Sequence, residues 1–278
     1  MNTPEYKYFI DEQEEKQSNK LFYKFAIILF AIYIILFGSV FVFRSNFEYV
    51  TINGESMQST LNPNPQRREN ADGEINDVQD GVYIKKTTKV DYGDIIVINQ
   101  GEDDSIIKRV LAFGGDYVTI ASVEYDGTRD YRLMRVKSGS ENVEILYEDY
   151  IKSYDSWNMV QGTIVDNVEY ENPLYSVYTY LGYETKELSV FLDGEERDVV
   201  FFKIPENHVF YMGDNRTGSR DARSTGTSPQ KYIEGYVVKI VRNGTFIKDD
   251  AVSWFFQQIK DYFDIIWKEI LIFFGANA

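Results

Sequence analysis

The sequence predicts a mainly β protein with one N-terminal transmembrane helix, a β-rich insertion and a C-terminal amphipathic helix. Three observations carry this. Residues 25–43 form an uncharged apolar run, short apolar stretches broken by Gly, Asn and Asp turns follow it, and residues 252–274 return to helical spacing. At 278 residues, with 44% hydrophobic and 16% aromatic content, the chain is long and apolar enough for one large or two modest domains with a real core.

The N-terminal run, within LFYKFAIILFAIYIILFGSVFVF from Leu21 to Phe43, would reach about 28 Å as a helix, close to the hydrocarbon thickness of a bilayer. It ends Gly38-Ser39-Val40-Phe41-Val42-Phe43 without a small-x-small exit, so it reads as a retained anchor rather than a cleaved leader. Lys7, Lys16, Lys20 and Lys24 precede the uncharged run, and only Arg44 follows closely. That bias predicts a single-pass protein of the cell membrane, with a cytoplasmic N-terminus and the remainder extracytoplasmic.

Beyond Arg44 strands are expected at 47–52, 81–84, 94–98, 105–111, 117–123, 199–204, 208–212 and 235–241. Two polar stretches interrupt them: the acidic, turn-rich 62–80, and a Tyr- and Glu-rich segment large enough for a subdomain. The expected organisation is a cytoplasmic tail 1–20, an anchor 21–43, a catalytic core in two parts, 44–120 and 199–250, an inserted non-catalytic subdomain 121–198, and a C-terminal helix 251–278. Asn243-Gly244 carries a hairpin signal.

In the last segment Phe255, Ile259, Tyr262, Phe263, Ile266, Ile270 and Phe273 share one helical face, opposite Gln257, Asp261, Asp264 and Lys268. Five charges from Lys260 to Glu269 make a second membrane crossing costly. The helix reads either as interfacial or as a cover for the β domain or a partner subunit.

Composition excludes several functions. The 29 basic and 44 acidic residues leave a net charge of −15, the wrong sign for gripping a phosphate backbone, so nucleic acid is not expected as a partner. With no cysteine and a single histidine, His208, the chain has no disulfides, no cysteine nucleophile and no multi-histidine metal site.

Candidate chemistry lies in three stretches. Asn53-Gly54-Glu55-Ser56-Met57-Gln58 follows the span, and Ile106-Ile107-Lys108-Arg109-Val110 places a lysine in an apolar strand. Burial disfavours an ammonium, and a neutral lysine amine can accept a serine proton. The third stretch, Gly213-Asp214-Asn215-Arg216-Thr217-Gly218-Ser219-Arg220-Asp221-Ala222-Arg223, is by composition a polar loop.

In this order, with the anchor and Gly93-Asp94-Ile95-Ile96-Val97, these boxes resemble the type I signal peptidases, membrane-bound Ser/Lys endopeptidases that remove signal peptides from exported proteins. The resemblance is to the Gram-positive-like members, covers about residues 20–242 outside the insertions, and implies a signal-peptidase-like β catalytic domain. It implies Ser56 as nucleophile, Lys108 as general base and Ser219 as a hydroxyl orienting that lysine. Asp221 with Arg223, and Asp214 with Arg216, correspond to the structural scaffold. The oxyanion would be held by the Ser56 backbone N–H, and Gly54 stands where some members carry a hydroxyl donor. No metal or cofactor is implied. The implied partners are exported precursors cut after Ala-x-Ala-like sites, the lipid bilayer and export machinery. The chain departs from the family pattern at Ser59 and Gly114, where proline is usual, and at Ala222, where serine is usual. A peptidase dedicated to pilins or surface proteins, and a non-catalytic pilus or export scaffold of the same fold, remain alternatives. His208 lies in a turn before a strand and reads as structural rather than as a base.

Overall fold

The computed structural model describes residues 4–58, 60–63, 66–69, 75–101, 104–125, 128–151, 164–165, 168–169, 172 and 174–275. Ser59 and much of the two polar excursions lie outside the described residues. The chain divides into two compact units, Met1–Phe47 and Glu48–Ala278.

The first unit is built on helix α1, Pro4–Asn46, which starts well before the expected anchor. Proline suits a helix start because its missing N–H has no intrahelical partner there. Within α1, Asn19–Asn46 is long and apolar enough to cross a membrane, and none of its most apolar stretch is buried. A helix in a soluble core would bury these side chains; this one turns them outward, consistent with a membrane anchor.

In chain order the strands are β1 Phe47–Thr51, β2 Gln66–Glu69, β3 Ile75–Val78, β4 Gly81–Lys86, β5 Ile95–Gly101, β6 Asp104–Phe113, β7 Tyr117–Tyr125, β8 Thr128–Val136 and β9 Val143–Ile145. They continue with the short β10 Ile164–Val165 and β11 Val168–Glu169, helix α2 Tyr175–Tyr180, β12 Thr185–Leu192, β13 Glu195–Lys203 and β14 His208–Met212. The chain then forms α3 Ala222–Thr225, β15 Ser228–Pro229, β16 Ile233–Val241, α4 Gly244–Asp249 and α5 Ala251–Phe273. Every expected strand forms, and the protein is mainly β.

A seven-stranded sheet runs in the order β1-β4-β16-β5-β6-β14-β15, and a five-stranded sheet runs β12-β13-β7-β8-β9. On β5 the pleat alternates cores: Ile96 and Ile98 join the larger one, while Val97 joins Met57, Leu61, Val82 and Ile84 on the other face. Val118, Ile120, Leu133 and Phe202, from the five-stranded sheet, complete the larger core with Val110, Leu111 and Phe210 of the first sheet. Of the segment expected as an insertion, 121–198, β8, β9, β12 and parts of β7 and β13 belong to the five-stranded sheet, whose strands run on to Tyr117 and Lys203 and share their core with the seven-stranded one.

The excursion 62–80 leaves and returns at one point. Asn62 N–H donates to Asp80 Oδ2 at 2.9 Å, and Asp80 N–H donates to Asn62 Oδ1 at 2.6 Å. The hairpin expected at Asn243-Gly244 does not form. Asn243 is left-handed (φ 55°), but Gly244 opens α4 instead of adopting the second positive φ that a type I′ turn needs. Glycine is required there for space, because a Cβ would collide with the Tyr49 hydroxyl.

Helix α5 forms as its spacing predicts, with its charged side against the sheet. Asp261 is fully buried and pairs with Lys239 of β16 at 2.7 Å; Glu269 pairs with Lys85 of β4 at 2.6 Å. Trp254 packs edge-on to Tyr49 of β1, with ring centroids 4.7 Å apart.

Candidate active site

Ser56 sits in a tight turn after β1. Gly54 adopts φ 99°, a conformation open chiefly to glycine, and Gln58 N–H closes back on the Glu55 carbonyl at 2.9 Å. Met57 and Leu61, each 1% exposed, plug the turn into the smaller core and leave Ser56 half-buried. The third box holds the same turn from the other side. Asn215 N–H donates to the Ser56 carbonyl at 3.0 Å, and Asn215 Nδ2 donates to the Glu55 carbonyl at 3.0 Å.

Lys108 lies on β6 opposite Ile96 of β5, between Ile106 and Val110. Strand alternation thus aims it at an apolar face, and it is only 3% exposed. Its amine stands 2.8 Å from Ser56 Oγ and donates to the Ile107 carbonyl at 2.8 Å. Burial pushes the Lys108 amine below the ordinary lysine range, and the nearby Asp221 carboxylate offsets only part of that shift. The result is a serine hydroxyl in hydrogen-bond contact with an amine predisposed to lose its proton.

Glycine at 213 permits this closeness. A Cβ there would collide with both the Ser56 carbonyl and the Ser219 hydroxyl. Ser219 Oγ is buried against this glycine; among the described residues no hydrogen bond joins it to Lys108. Asp221 caps α3 and holds Arg223 through two parallel bonds, Nε to Oδ1 at 2.8 Å and Nη2 to Oδ2 at 2.9 Å. Gly213 N–H also donates to Asp221 Oδ2, at 3.0 Å. Burial raises the Asp221 carboxyl, but Arg223 and these donors outweigh it, so its pKa falls below the usual carboxylate range.

Asp214 and Arg216 do not pair with each other. Asp214 receives Arg109 bidentately, Nε to Oδ1 at 2.9 Å and Nη2 to Oδ2 at 2.6 Å, and also accepts from the Thr60 hydroxyl. Arg216 reaches Glu148 at 2.5 Å. Arg109 completes its set with the Gly93 carbonyl at 2.8 Å and the face of Tyr150 at 3.9 Å. Sequence reasoning missed Arg109 and Glu148. Arg109 could have been suspected because it adjoins Lys108, and alternation sends it to the other face; Glu148 is one acid among many in a Tyr- and Glu-rich stretch. His208 lies at the far end of β14, its Nδ1 2.9 Å from Thr227 Oγ1, away from Ser56. Among the described residues no three His, Asp or Glu side chains gather as a metal-binding group.

Residues 22–241 match the family described as signal peptidase, peptidase S26. The chain belongs to that family. By class it is a type I signal peptidase, a serine endopeptidase. Its relatives include a signal peptidase I of Aquifex aeolicus, 30% identical over 55% of this chain and 63% of the relative, slightly under two thirds of that protein's length. A signal peptidase I of Streptococcus pneumoniae is 26% identical over 71% of this chain and 85% of the relative. The solved structure of a signal peptidase I from Enterococcus faecalis V583 is similar at 20% identity, covering 53% of this chain and 96% of that one, with a TM-score of 0.27. The family match takes in all three boxes of the peptidase and stops at the end of β16, leaving α4 and α5 outside.

Proposed function

We propose that this chain is a membrane-bound serine endopeptidase that removes signal peptides from exported precursors after small-x-small sites. The observation that carries the reading is the 2.8 Å contact between Lys108 Nζ and Ser56 Oγ at a buried lysine. In the proposed reaction neutral Lys108 accepts the Ser56 hydroxyl proton as Oγ attacks the scissile carbonyl. The Ser56 backbone N–H has no hydrogen-bond partner among the described residues, which suits it to hold the developing oxyanion. Lysine then returns the proton to the departing amine, leaving an acyl-enzyme. Water, deprotonated by the same amine, hydrolyses the ester and regenerates Ser56.

Anchoring by α1, with the N-terminus in the cytoplasm, fits the lysines placed before the apolar run and brings the serine close to where an exported chain leaves the bilayer. Asp214, Arg216, Asp221 and Arg223 are proposed as the scaffold and Ser219 as a supporting hydroxyl.

The test is cleavage of an Ala-x-Ala precursor by the detergent-solubilised full chain, compared with Ser56→Ala and Lys108→Ala. Cleavage at that site by wild type and a loss of about 10³-fold or more in both folded variants is expected. Activity surviving either substitution overturns the dyad, and a folded wild type that leaves such precursors intact overturns the substrate class.

A further inference from the structure

Helix α5 is amphipathic in the reverse of the usual sense. A surface helix normally turns its apolar stripe to the core. Here the charged side is used up on the sheet, through Asp261 with Lys239 and Glu269 with Lys85. Gln257 Nε2 reinforces this by donating to Asp261 Oδ1 at 2.9 Å. Val252, Phe256, Ile259, Phe263, Trp267 and Ile270, at spacings of three or four, are all exposed along the opposite side. This stripe runs about 27 Å along the helix and contains no charged residue; Lys260 and Asp264 flank it on one edge.

We infer that this stripe is a second membrane contact: α5 lies in the interface of the bilayer that α1 crosses, its apolar side among the acyl-chain ends. Chain connectivity favours that occupant. Trp254 packs on Tyr49, and only Phe47 and Glu48 separate Tyr49 from Asn46, the last residue of α1. A chain crossing a bilayer through α1 therefore keeps Tyr49 within about 10 Å of the end of that helix, the depth range of an interfacial helix. Charge also favours lipid over a second copy, since each chain carries a net −15 and two such chains repel, whereas zwitterionic headgroups do not. The ion pairs fix the roll of the helix, so the stripe faces outward before any lipid is met. The contact lies outside the family-matched segment, and it rests on the anchoring proposed above.

The chain has no cysteine, so single nitroxide labels can be placed on the full-length protein in phosphatidylcholine vesicles. Labels go at Phe256→Cys, Phe263→Cys and Ile270→Cys on the stripe, at Lys260→Cys off it, and at Ile34→Cys in α1 as the reporter of insertion. All five sites are exposed, so labelling removes no core packing. Oxygen collision is expected to exceed that of a water-soluble nickel chelate several-fold at Ile34→Cys and at the three stripe positions, with the order reversed at Lys260→Cys. Stripe labels open to the chelate while Ile34→Cys is in lipid would overturn the contact. Stripe labels shielded from both reagents and broadened by one another would replace it with a second copy. A chelate-accessible Ile34→Cys would remove the anchoring and the inference with it.

Discussion

Glu148 Oε1 and Arg216 Nη2 meet at 2.5 Å, both side chains buried, across 68 residues of sequence. The acid follows β9 of the five-stranded sheet, and the arginine belongs to the box that also fastens the Ser56 turn. Removing the acid strands a guanidinium charge in the interior. Glu148→Ala is expected to cost about 3–5 kcal/mol in guanidinium unfolding of the solubilised chain. Pairing it with Arg216→Met should recover most of that loss, and a double variant as unstable as the single one would show that the pair is not what matters.

Lys108 makes activity and stability depend on pH in the same direction. Cleavage needs the neutral amine, so the rate should climb through an acid limb whose midpoint lies below the ordinary lysine range. Above the lowered folded pKa and below the unfolded one, the unfolded chain binds the extra proton, so stability also rises with pH across that window. Lys108→Met should abolish the cleavage and flatten this part of the stability profile. A rate independent of pH from mildly acidic to alkaline conditions would argue against a lysine base.

Asp221 holds the Lys108 ammonium up against the effect of burial. Asp221→Asn removes that negative charge and frees the Arg223 positive charge nearby, and both changes disfavour a protonated amine. The acid limb of a folded Asp221→Asn enzyme should move to lower pH, with a lower plateau rate from the weakened scaffold. A limb moved to higher pH would contradict the assigned electrostatics.

Gly213 is a steric requirement. Gly213→Ala would drive a methyl group into the Ser56 carbonyl and the Ser219 hydroxyl. Displacing the nucleophile by about an ångström should reduce kcat about 10²-fold with a much smaller change in KM, read from steady-state cleavage of a peptide substrate. Unchanged kcat would mean that the turn has slack.

Strand positions were legible because Val-, Ile- and Tyr-rich runs between Gly and Asn turns have few other ways to bury themselves, and β5 and β6 follow the expected ranges closely. The approach of Ser56 to Lys108 was legible only through the order of the boxes, since nothing local to a Gly-Glu-Ser-Met turn names its partner 52 residues away. Asn243-Gly244 misled because glycine there answers to the Tyr49 hydroxyl, a contact between distant parts of the chain. The partners of Asp214 and Arg216 were hidden for a similar reason: alternating charges in a loop pair with whichever strand folds over them, here Arg109 from β6 and Glu148 from beyond β9. For α5 the periodicity revealed the two faces but not which one docks, because that depends on Lys85 and Lys239, lysines on strands far away in sequence.

Tyr49 is wedged where a side chain at either Gly81 or Gly244 would collide with it, with the rings of Tyr83 and Trp254 at 5.2 and 4.7 Å. A pull passed along the chain from α1 would reach β1 first, where Tyr49 is keyed between these rings and glycines. The strand carrying Lys108 is four ladders further along the sheet order. The two halves of the dyad thus stand at unequal distances from that joint: Ser56 follows it by a few residues of chain, and Lys108 lies across the breadth of the sheet.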